Sequence, residues 1–339
     1  MRLAALLGSL ALSCVLSELL VLAALGVQPK FPRRVVGAPW GLRMNEPGAR
    51  YRHASADVDV EMRINGQGLR ADREHAREKP PGVRRIVALG DSFTIGYEVA
   101  LEDCFASVLE RELARRGLAA EVLNAGVSGF GSAEACLYLE RELIHYQPDL
   151  VLLSFHDNDL ADNVRSGLFA LRGEELVPAA ERYVPGGGLA DALNRSRLLS
   201  LAAERSNAFA FVKEQVSWRL KQGLTAARSA PAAPGEDPAA RLCVAILERM
   251  RAFLQARGIP LLIQSIPSPP GDGPLVEGLP PGLEGRPGVH VVPAKRFLDP
   301  LVGREPLYHR RSHGHWTPLA HRRSGEHLAA LIVRERLLR

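Results

Sequence analysis

The stretch "RRIVALGDSFTIG", residues 84–96, contains a run of apolar residues that ends directly in Gly90, Asp91 and Ser92. A short apolar run bounded by turn-forming residues is typical of a strand that is buried on both faces. A serine in the turn after such a strand is commonly the cap of the next helix. Whether Ser92 is a cap or a nucleophile therefore depends on what the rest of the chain supplies at the same place.

From residue 84 onward, strand-like and helix-like patterns alternate. The predicted strands after the first are "AEVLNAG" (120–126), "DLVLLSF" (149–155), "IPLLIQSI" (259–266) and "VHVV" (289–292). The predicted helices are "FASVLERELARRG" (105–117), "SAEACLYLERELIHYQP" (132–148) with Ser132 as its cap, "RLCVAILERMRAFLQARG" (241–258), and a last one from Pro318 to the C-terminus. Buried strands that alternate with helices indicate an α/β fold, in which helices cover both faces of a parallel sheet.

The alternation is interrupted after Asn163. Residues 164–239 contain turn signals such as "PGGG" (185–188), and the low-complexity stretch "SAPAAPGEDPAA" (229–240) is typical of a flexible linker. We therefore predict three parts, namely residues 1–28, an N-terminal extension over 29–83, and a main domain over 84–339 with an insertion at 164–239.

Composition excludes some classes of function. The chain has 339 residues, of which 46% are hydrophobic and 24% charged, which is enough for a sizeable core. Its net charge of +5 is spread along the chain without a long basic run, so no nucleic-acid partner is expected. The four cysteines form no Cys-x-x-Cys pair, and no acidic or cysteine ligand lies near His313, His315 and His321 in sequence. We therefore expect neither a metal nor a cofactor.

The N-terminal segment "LAALLGSLALSCVLSELLVLAALGV", residues 3–27, has Glu18 as its only charge. At about 1.5 Å per residue, a helix of this length crosses a hydrocarbon core of roughly 30 Å. The run is long for the apolar part of a signal peptide, which favours an uncleaved signal anchor and a single-pass membrane protein. Cleavage near "ALG" (24–26), giving a secreted protein, is the alternative.

The orientation of this segment has two readings. Lys30, Arg33 and Arg34 follow it while only Arg2 precedes it, and by charge alone this would keep the following domain inside. A large domain after a signal-type segment is nevertheless usually exported. We predict that the main domain lies on the extracytoplasmic side of the cell membrane.

Polar loops follow the predicted strands at one edge of the sheet. Reactive groups collect at the carboxyl ends of parallel strands. The turn with Ser92 follows the first strand, "NAGVSGFG" (124–131) follows the second, and "SFHDNDLADN" (154–163) follows the third. The segment "HGHWTPLAH" (313–321) precedes the last helix. Each of these loops supplies a group that acyl-transfer chemistry can use.

Four short blocks, "GDSFTIG", "NAGVSG", "HDND" and "HWTPLAH", resemble in this order the conserved blocks of the SGNH (GDSL-type) hydrolases. The resemblance covers roughly residues 84–163 and 240–335. "RINGQGLR" (63–70) and the apolar N-terminus are similar to the membrane-attached bacterial members of that superfamily. The resemblance implies a three-layer α/β/α, flavodoxin-like, doubly wound parallel sheet, with an N-terminal transmembrane helix and a helical or loop insertion.

The resemblance also assigns roles to individual residues. It makes Ser92 the nucleophile and His315 the general base, and it forms an oxyanion hole from the Ser92 N–H, the Gly129 N–H and the Asn158 side-chain amide. A serine hydroxyl needs a neighbouring base near pH 7, and histidine, with an unperturbed pKa of about 6.5, suits that exchange. Preorganised donors stabilise the negative oxygen of the tetrahedral intermediate.

One feature departs from the family pattern. An Asp normally precedes the catalytic His by two or three residues, but here Ser312 and His313 occupy those positions. Three interpretations remain. The Ser–His pair works alone, or an acid from elsewhere in the chain reaches the histidine, or the site has lost catalysis and only binds. The candidates for the orienting group or its substitute are Asp299, Glu305, Ser312 and His313.

Four neighbouring residues are expected to have structural roles. Asp91 would brace the turn at Ser92, Asp159 would tie down its loop, and His156 and His321 are read as structural histidines.

The predicted function is that of a serine esterase or acyl hydrolase acting on an acyl or O-acetyl ester of an envelope glycan or lipid. An O-acyltransferase that uses the same site on a glycan is one alternative. A non-catalytic scaffold or binding protein with this fold is the other, because the usual Asp is missing. The insertion at 164–239 is expected to cap the site and to limit the length of the acyl chain.

Overall fold

The computed structural model describes residues 2–32, 34–185, 196–229, 237–269 and 274–338. Most of "PGGG" and of the predicted linker "SAPAAPGEDPAA" lies outside the described residues. In chain order the strands are β1 (Val35–Gly37), β2 (Arg43–Asn45), β3 (Arg50–Ala54), β4 (Asp59–Arg63), β5 (Arg84–Gly90), β6 (Ala120–Asn124), β7 (Leu150–Phe155), β8 (Phe169–Arg172), β9 (Glu175–Pro178), β10 (Leu261–Ser265) and β11 (Val289–Pro293). The helices are α1 (Arg2–Leu25), α2 (Ser92–Ile95), α3 (Phe105–Arg115), α4 (Ser132–Arg141), α5 (Asn158–Ser166), α6 (Arg197–Arg205), α7 (Asn207–Arg228), α8 (Pro238–Gln255), α9 (Lys295–Leu298) and α10 (Pro318–Arg334).

Five parallel strands form the central sheet in the order β11-β10-β7-β5-β6. If these five strands are numbered 1 to 5 along the chain, their order from the β6 edge is 2-1-3-4-5. This is the strand order of a flavodoxin-like sheet. Every residue of β7 is buried, as a strand covered on both faces requires. The predicted α/β fold class is confirmed.

Each face of the sheet carries its own hydrophobic core. The alternate residues of β5 divide between them, since Val87 and Leu89 join one core while Ile86 and Ala88 join the other. Helices α4 and α8 contribute to the first core, and α3 and α10 to the second. This division gives the three layers.

The order of the strands places the site. Strand β5 lies between β6 and β7. The chain first adds β6 on one side of β5 and then crosses over to add β7 on the other side. Such a switch point opens a crevice at the carboxyl end of the strand. Ser92 stands two residues after β5, at this point.

Two helix boundaries differ from the prediction. Ser132 is the first residue of α4 rather than its cap, and the Gly131 N–H that precedes it donates to the Glu134 carboxylate at 3.3 Å. The predicted helix over 132–148 is α-helical only to Arg141 and continues as a 3₁₀ turn over Leu143–Tyr146.

The parts outside the central sheet are small. Strands β1 and β2 pair antiparallel, as do β3 and β4 in the N-terminal extension and β8 and β9 in the insertion. Helix α1 has a mean hydropathy of 2.1 over its most apolar 18 residues and no buried residue, so it is long and apolar enough to cross a membrane. Within the described residues, the insertion adds α6 and α7, and α7 packs along α5.

Candidate active site

The turn after β5 fixes Ser92. Gly90 has a φ of +141°, and a Cβ there would lie 2.3 Å from the Thr94 hydroxyl oxygen, so the turn needs glycine. The Asp91 carboxylate accepts the Phe93 N–H at 2.9 Å and caps α2. Asp91 is thus the helix cap and the brace of the turn. Its Oδ2 lies 3.5 Å from the Ser92 hydroxyl oxygen, which leaves room for a closer partner.

That partner is His315. Its Nε2 lies 2.8 Å from the Ser92 hydroxyl oxygen, although the two residues are far apart in the sequence. The loop before α10 holds the ring in place, because the His309 N–H donates to the His315 carbonyl at 2.9 Å and Tyr308 pairs with Trp316 in an isolated β-bridge. The predicted nucleophile and base are therefore within hydrogen-bond distance.

A carboxylate that the sequence analysis did not single out completes the chain of contacts. Glu98 Oε2 lies 3.2 Å from His315 Nδ1 and accepts the His315 backbone N–H at 3.1 Å. Glu98 is buried and has a φ of +69°, which is uncommon for a residue with a side chain. A buried acid held in a strained backbone conformation is a common feature of functional sites.

The other oxygen of Glu98 is also held. Oε1 accepts the His313 backbone N–H at 3.0 Å and the Ser312 hydroxyl, and it lies 3.6 Å from both His53 Nε2 and His313 Nδ1. Burial opposes ionisation of Glu98, but hydrogen bonds from His313 and His315 outweigh it and hold its pKa below the usual range. Burial lowers the pKa of His53 to about 3, so this ring is neutral near pH 7.

The four predicted candidates for the orienting group lie elsewhere or act indirectly. Asp299 Oδ1 accepts the Leu275 N–H at 3.3 Å, and Glu305 is exposed in the loop that follows. Ser312 and His313 contact Glu98 rather than the His315 ring. Among the described residues, the carboxylate within reach of that ring is Glu98, whereas Asp299 and Glu305, two of the candidates for an acid from elsewhere, do not contact it.

The signal for Glu98 was present in the sequence. It stands six residues after Ser92 in "IGYEVA", between Tyr97 and Val99, both of which are buried. A single charge inside an apolar stretch needs a partner when it is buried. The sequence marks this charge but not its partner, and the family pattern places the acid beside His315 instead.

The loop after β6 carries Gly129, which has a φ of +76°. Arg43 on β2 donates a hydrogen bond to the Gly129 carbonyl and pairs with Glu134 at 2.8 Å. Asn45 donates its amide to the Gly126 carbonyl at 2.9 Å. The N-terminal extension, for which the sequence predicted no chemistry, therefore supports the loop that holds the second predicted oxyanion donor.

Asn158, the first residue of α5, lies beside Asp91. Its side-chain nitrogen is 3.2 Å from Asp91 Oδ2 and 3.2 Å from Asp162 Oδ2, and its oxygen is 2.8 Å from His156 Nδ1. Asp162 also pairs with Arg165. Both amide protons thus point at carboxylates, and an acyl oxygen in the site would have to replace one of them.

Three other polar residues near the site have structural contacts. Asp159 is buried and accepts the Ser132 hydroxyl at 3.2 Å, and burial raises its pKa well above the usual value. Asp157 accepts the Ser268 hydroxyl at 2.6 Å. His321 is fully buried, and its Nδ1 accepts the Phe105 N–H at 3.2 Å.

In the described part of the chain, one group of side chains has the composition of a metal site. Ligand atoms of His53, Glu98 and His313 all lie within 4.8 Å of one another. Imidazole nitrogens and carboxylate oxygens are zinc ligands. The sequence predicted no metal because these residues are not neighbours in the chain. A cation here would bind Glu98 through the oxygen that does not face His315.

Clefts of similar volume lie near the loop before α10 and at one edge of the sheet. The first, of about 530 Å³, is lined by the segment just before His315, including Tyr308, Ser312 and His313. The second, of about 520 Å³, is lined by Asp149 and Arg257 and lies at the amino-terminal edge of the sheet, on the side opposite to Ser92. Neither cleft is lined by Ser92 or His315.

A parallel sheet with a serine, a histidine and a carboxylate in contact at the end of one strand is an arrangement that serine hydrolases use. The chain belongs to the GDSL-like Lipase/Acylhydrolase family, whose model matches residues 88–323, more than two thirds of its length. The prediction of an SGNH (GDSL-type) ester hydrolase is thereby confirmed at the level of the family.

Individual relatives are more distant. An arylesterase of Vibrio mimicus is 32% identical over 75 residues, which cover 22% of this chain and 38% of that protein. The solved structure of TesA is 17% identical with a TM-score of 0.42, and covers 75% of this chain and all of its own. The structure of the esterase EstA from Pseudoalteromonas sp. is 15% identical with a TM-score of 0.42. The match covers 75% of this chain and 98% of EstA.

Proposed function

We propose that this chain is a serine esterase in which Ser92 is the nucleophile, His315 the general base and Glu98 the acid that orients the base. The observation that carries the proposal is the continuous set of contacts from Ser92 to His315 at 2.8 Å and from His315 to Glu98 at 3.2 Å. Membership of the GDSL-like Lipase/Acylhydrolase family supports the same reaction class.

In the acylation step, the Ser92 oxygen attacks the carbonyl carbon of the ester while its proton passes to His315 Nε2. The proton on Nδ1 is shared with Glu98, whose negative charge stabilises the imidazolium. The negative oxygen of the tetrahedral intermediate binds the N–H groups of Ser92 and Gly129 and the amide of Asn158. Collapse breaks the bond to the alcohol oxygen, which leaves with the proton from Nε2, and an acyl-enzyme on Ser92 remains.

In the second step, His315 takes a proton from water, and the resulting hydroxide attacks the acyl carbon. The bond to Ser92 breaks, the proton returns to the serine oxygen, and a carboxylic acid is released. A sugar hydroxyl in place of water would give O-acyl transfer with the same protein groups. We propose hydrolysis as the main reaction and treat transfer as an outcome to be measured with an added acceptor.

The proposed substrates are acyl or O-acetyl esters of envelope glycans or lipids. Helix α1 supports an attachment to the cell membrane, with the catalytic domain on the extracytoplasmic side as the sequence predicts. The scaffold alternative rested on a missing acid, and the position of Glu98 weighs against it.

The test uses the full chain in detergent, a short-chain p-nitrophenyl ester and a fluorophosphonate probe. We expect the wild type to hydrolyse the ester and to be labelled, and Ser92→Ala to lose both properties. Ser268→Ala is the matched control, because this half-buried hydroxyl bonds Asp157 and not His315. Equal rates for wild type and Ser92→Ala would favour the scaffold reading.

A further inference from the structure

Helix α7 of the insertion is attached to the apolar helix α1 through one carboxylate. Glu18 Oε1 accepts the backbone N–H of Asn207 at 2.8 Å and its side-chain amide at 2.6 Å. Glu18 Oε2 accepts the Ser206 hydroxyl at 2.8 Å and the Ala208 N–H at 3.0 Å. A carboxylate stabilises the N-terminus of a helix through its free N–H groups. The only charge in residues 3–27 therefore fixes the insertion to the anchor.

The attachment lies beside α1 rather than beyond its end. Glu18 precedes Leu25 by seven residues, or about 10 Å along the helix axis. Gly26, with a φ of +74°, turns the chain back, and the Gln28 N–H then donates to the Asn207 side-chain oxygen at 2.9 Å. The start of α7 is thus level with the last two turns of α1.

The surface around this attachment is apolar and exposed. In the last turns of α1, Leu19, Leu20, Leu22 and Leu25 are between 42% and 68% exposed. In the described part of the insertion, the exposed apolar side chains that we call the seating surface are Leu198, Leu201, Val212, Val216, Leu220 and Leu224. The last four recur every fourth residue and form a stripe along α7. An exposed apolar area of this kind marks an interaction site.

We propose that the seating surface rests in the interfacial layer of the same bilayer that α1 crosses. The seating surface begins beside α1, so lipid that surrounds Leu19–Leu25 also reaches the start of α7. This continuity is the reason to propose lipid as the partner of the seating surface. A stripe of apolar side chains along one side of a helix is typical of helices that lie in a membrane interface. The main domain is then held against the membrane surface and not merely tethered to it.

This position has a consequence for the substrate, which rests on the proposed function. Phe31 lies six residues after Leu25, and its ring packs 4.2 Å from that of His313 and 5.1 Å from that of His53. Lys213 of α7 lies 4.5 Å over the Phe31 ring. The seated helix therefore contacts the residues around Glu98, and we infer that the ester is carried by a lipid or lipid-linked molecule at the membrane surface.

The test places an environment-sensitive fluorophore on the full chain in phosphatidylcholine vesicles. Cys14 is exposed and the other three cysteines are buried, so the native Cys14 gives a positive control within α1. In a Cys14→Ala background, Val216→Cys and Leu220→Cys report on the seating surface. Arg115→Cys, at a 69% exposed side chain on α3, is the aqueous control. We expect the probes at 216 and 220 to be quenched by nitroxide-labelled lipids, as the probe at 14 is, while the probe at 115 is not.

Aqueous emission without lipid quenching at 216 and 220 would overturn the proposal. Burial without lipid quenching, together with self-association of the protein, would also overturn it in favour of a second copy of the chain. The same labelled proteins are assayed with a soluble p-nitrophenyl ester, so a failure of seating is distinguishable from a failure of the esterase proposal.

The substrate inference has its own readout. A Val212→Gln, Val216→Gln double variant should hydrolyse an ester held in vesicles at least about 10-fold more slowly than wild type. Its rate on the soluble ester should be unchanged. Equal losses on both substrates, or none on either, would contradict a membrane-borne ester.

Discussion

The two sides of Ser92 are held in different ways. On the acid side, Glu98 is buried, and each of its oxygens accepts at least one hydrogen bond. On the oxyanion side, the Asn158 amide is only partly buried and faces the carboxylates of Asp91 and Asp162. The acid side is therefore preorganised before substrate binds, whereas the oxyanion side must exchange a contact during the reaction.

This difference predicts where substitutions act. A fixed, buried carboxylate next to the base acts through the tautomer and charge of the imidazole, and its loss reduces turnover for any ester. A donor that must be released from a carboxylate contributes only when the negative oxygen forms. Substitutions on the two sides should both lower kcat, with the larger effect on the acid side.

The largest expected effect after loss of Ser92 is that of Glu98→Gln. The amide keeps the size of the side chain but favours the wrong tautomer of His315, and kcat should fall by about 10⁴-fold. The measurement is steady-state hydrolysis of a p-nitrophenyl ester by the folded variant.

Asp299→Asn and Glu305→Gln are the matched controls, since both remove a carboxylate that does not contact the His315 ring. They should leave kcat within a few-fold of wild type. A fall for Asp299→Asn as large as for Glu98→Gln would refute the assignment of the acid.

Asn158→Ala should reduce kcat by about 10²–10³-fold with little change in KM, because the amide acts on the transition state. Asp157→Ala, next to it in the chain, serves as the comparison because its carboxylate bonds Ser268. If Asn158→Ala changed KM alone, the amide would be a binding group and not an oxyanion donor.

His313→Ala tests the outer contacts of Glu98 and should reduce kcat by only about 10-fold, because it removes one contact of 3.6 Å and leaves the hydrogen bonds to Glu98 in place. The backbone N–H of residue 313 and the Ser312 hydroxyl still hold Glu98 Oε1 in that variant. A loss as large as that of Glu98→Gln would mean that His313 itself orients the base.

The last prediction concerns stability and not turnover. His53 has a folded-state pKa of about 3, below its ordinary value of 6.5, because burial disfavours the charged ring. The unfolded chain therefore binds more protons between these pH values, so His53 lowers the free energy of unfolding as the pH falls from 6.5 to 3. The expected slope is about 1.4 kcal/mol per pH unit. The free energy of unfolding is measured by denaturant at a series of pH values in wild type and in His53→Asn. The variant should lack the contribution of one proton, so its slope between pH 6.5 and 3 should be smaller. An unchanged slope would contradict a neutral buried ring at residue 53.

The parts of the site that follow from local patterns could be predicted from the sequence. Buried strands have distinctive apolar runs, and their order of connection brings Ser92, the loop of Gly129 and the loop of Asn158 to one edge. The position of His315 came with the family resemblance, and the structure places it at the same edge.

Glu98 and His53 could not be placed in the same way. The left-handed backbone at Glu98 turns its side chain toward a loop more than 200 residues later, which no local pattern encodes. His53 reaches the site from β3 of the extension, whose packing depends on Phe31 and Tyr97. Contacts of this kind depend on tertiary structure alone.

The central claim is that Ser92, His315 and Glu98 act as one unit. The most direct measurement is the rate at which a fluorophosphonate labels Ser92 in wild type, Glu98→Gln, His315→Ala and the double variant. Groups that act together lose their effects non-additively, so Glu98→Gln should slow labelling strongly in wild type and by less than about 3-fold in His315→Ala. If the labelling rate of the double variant fell by the product of the two single-variant losses, the claim would be contradicted.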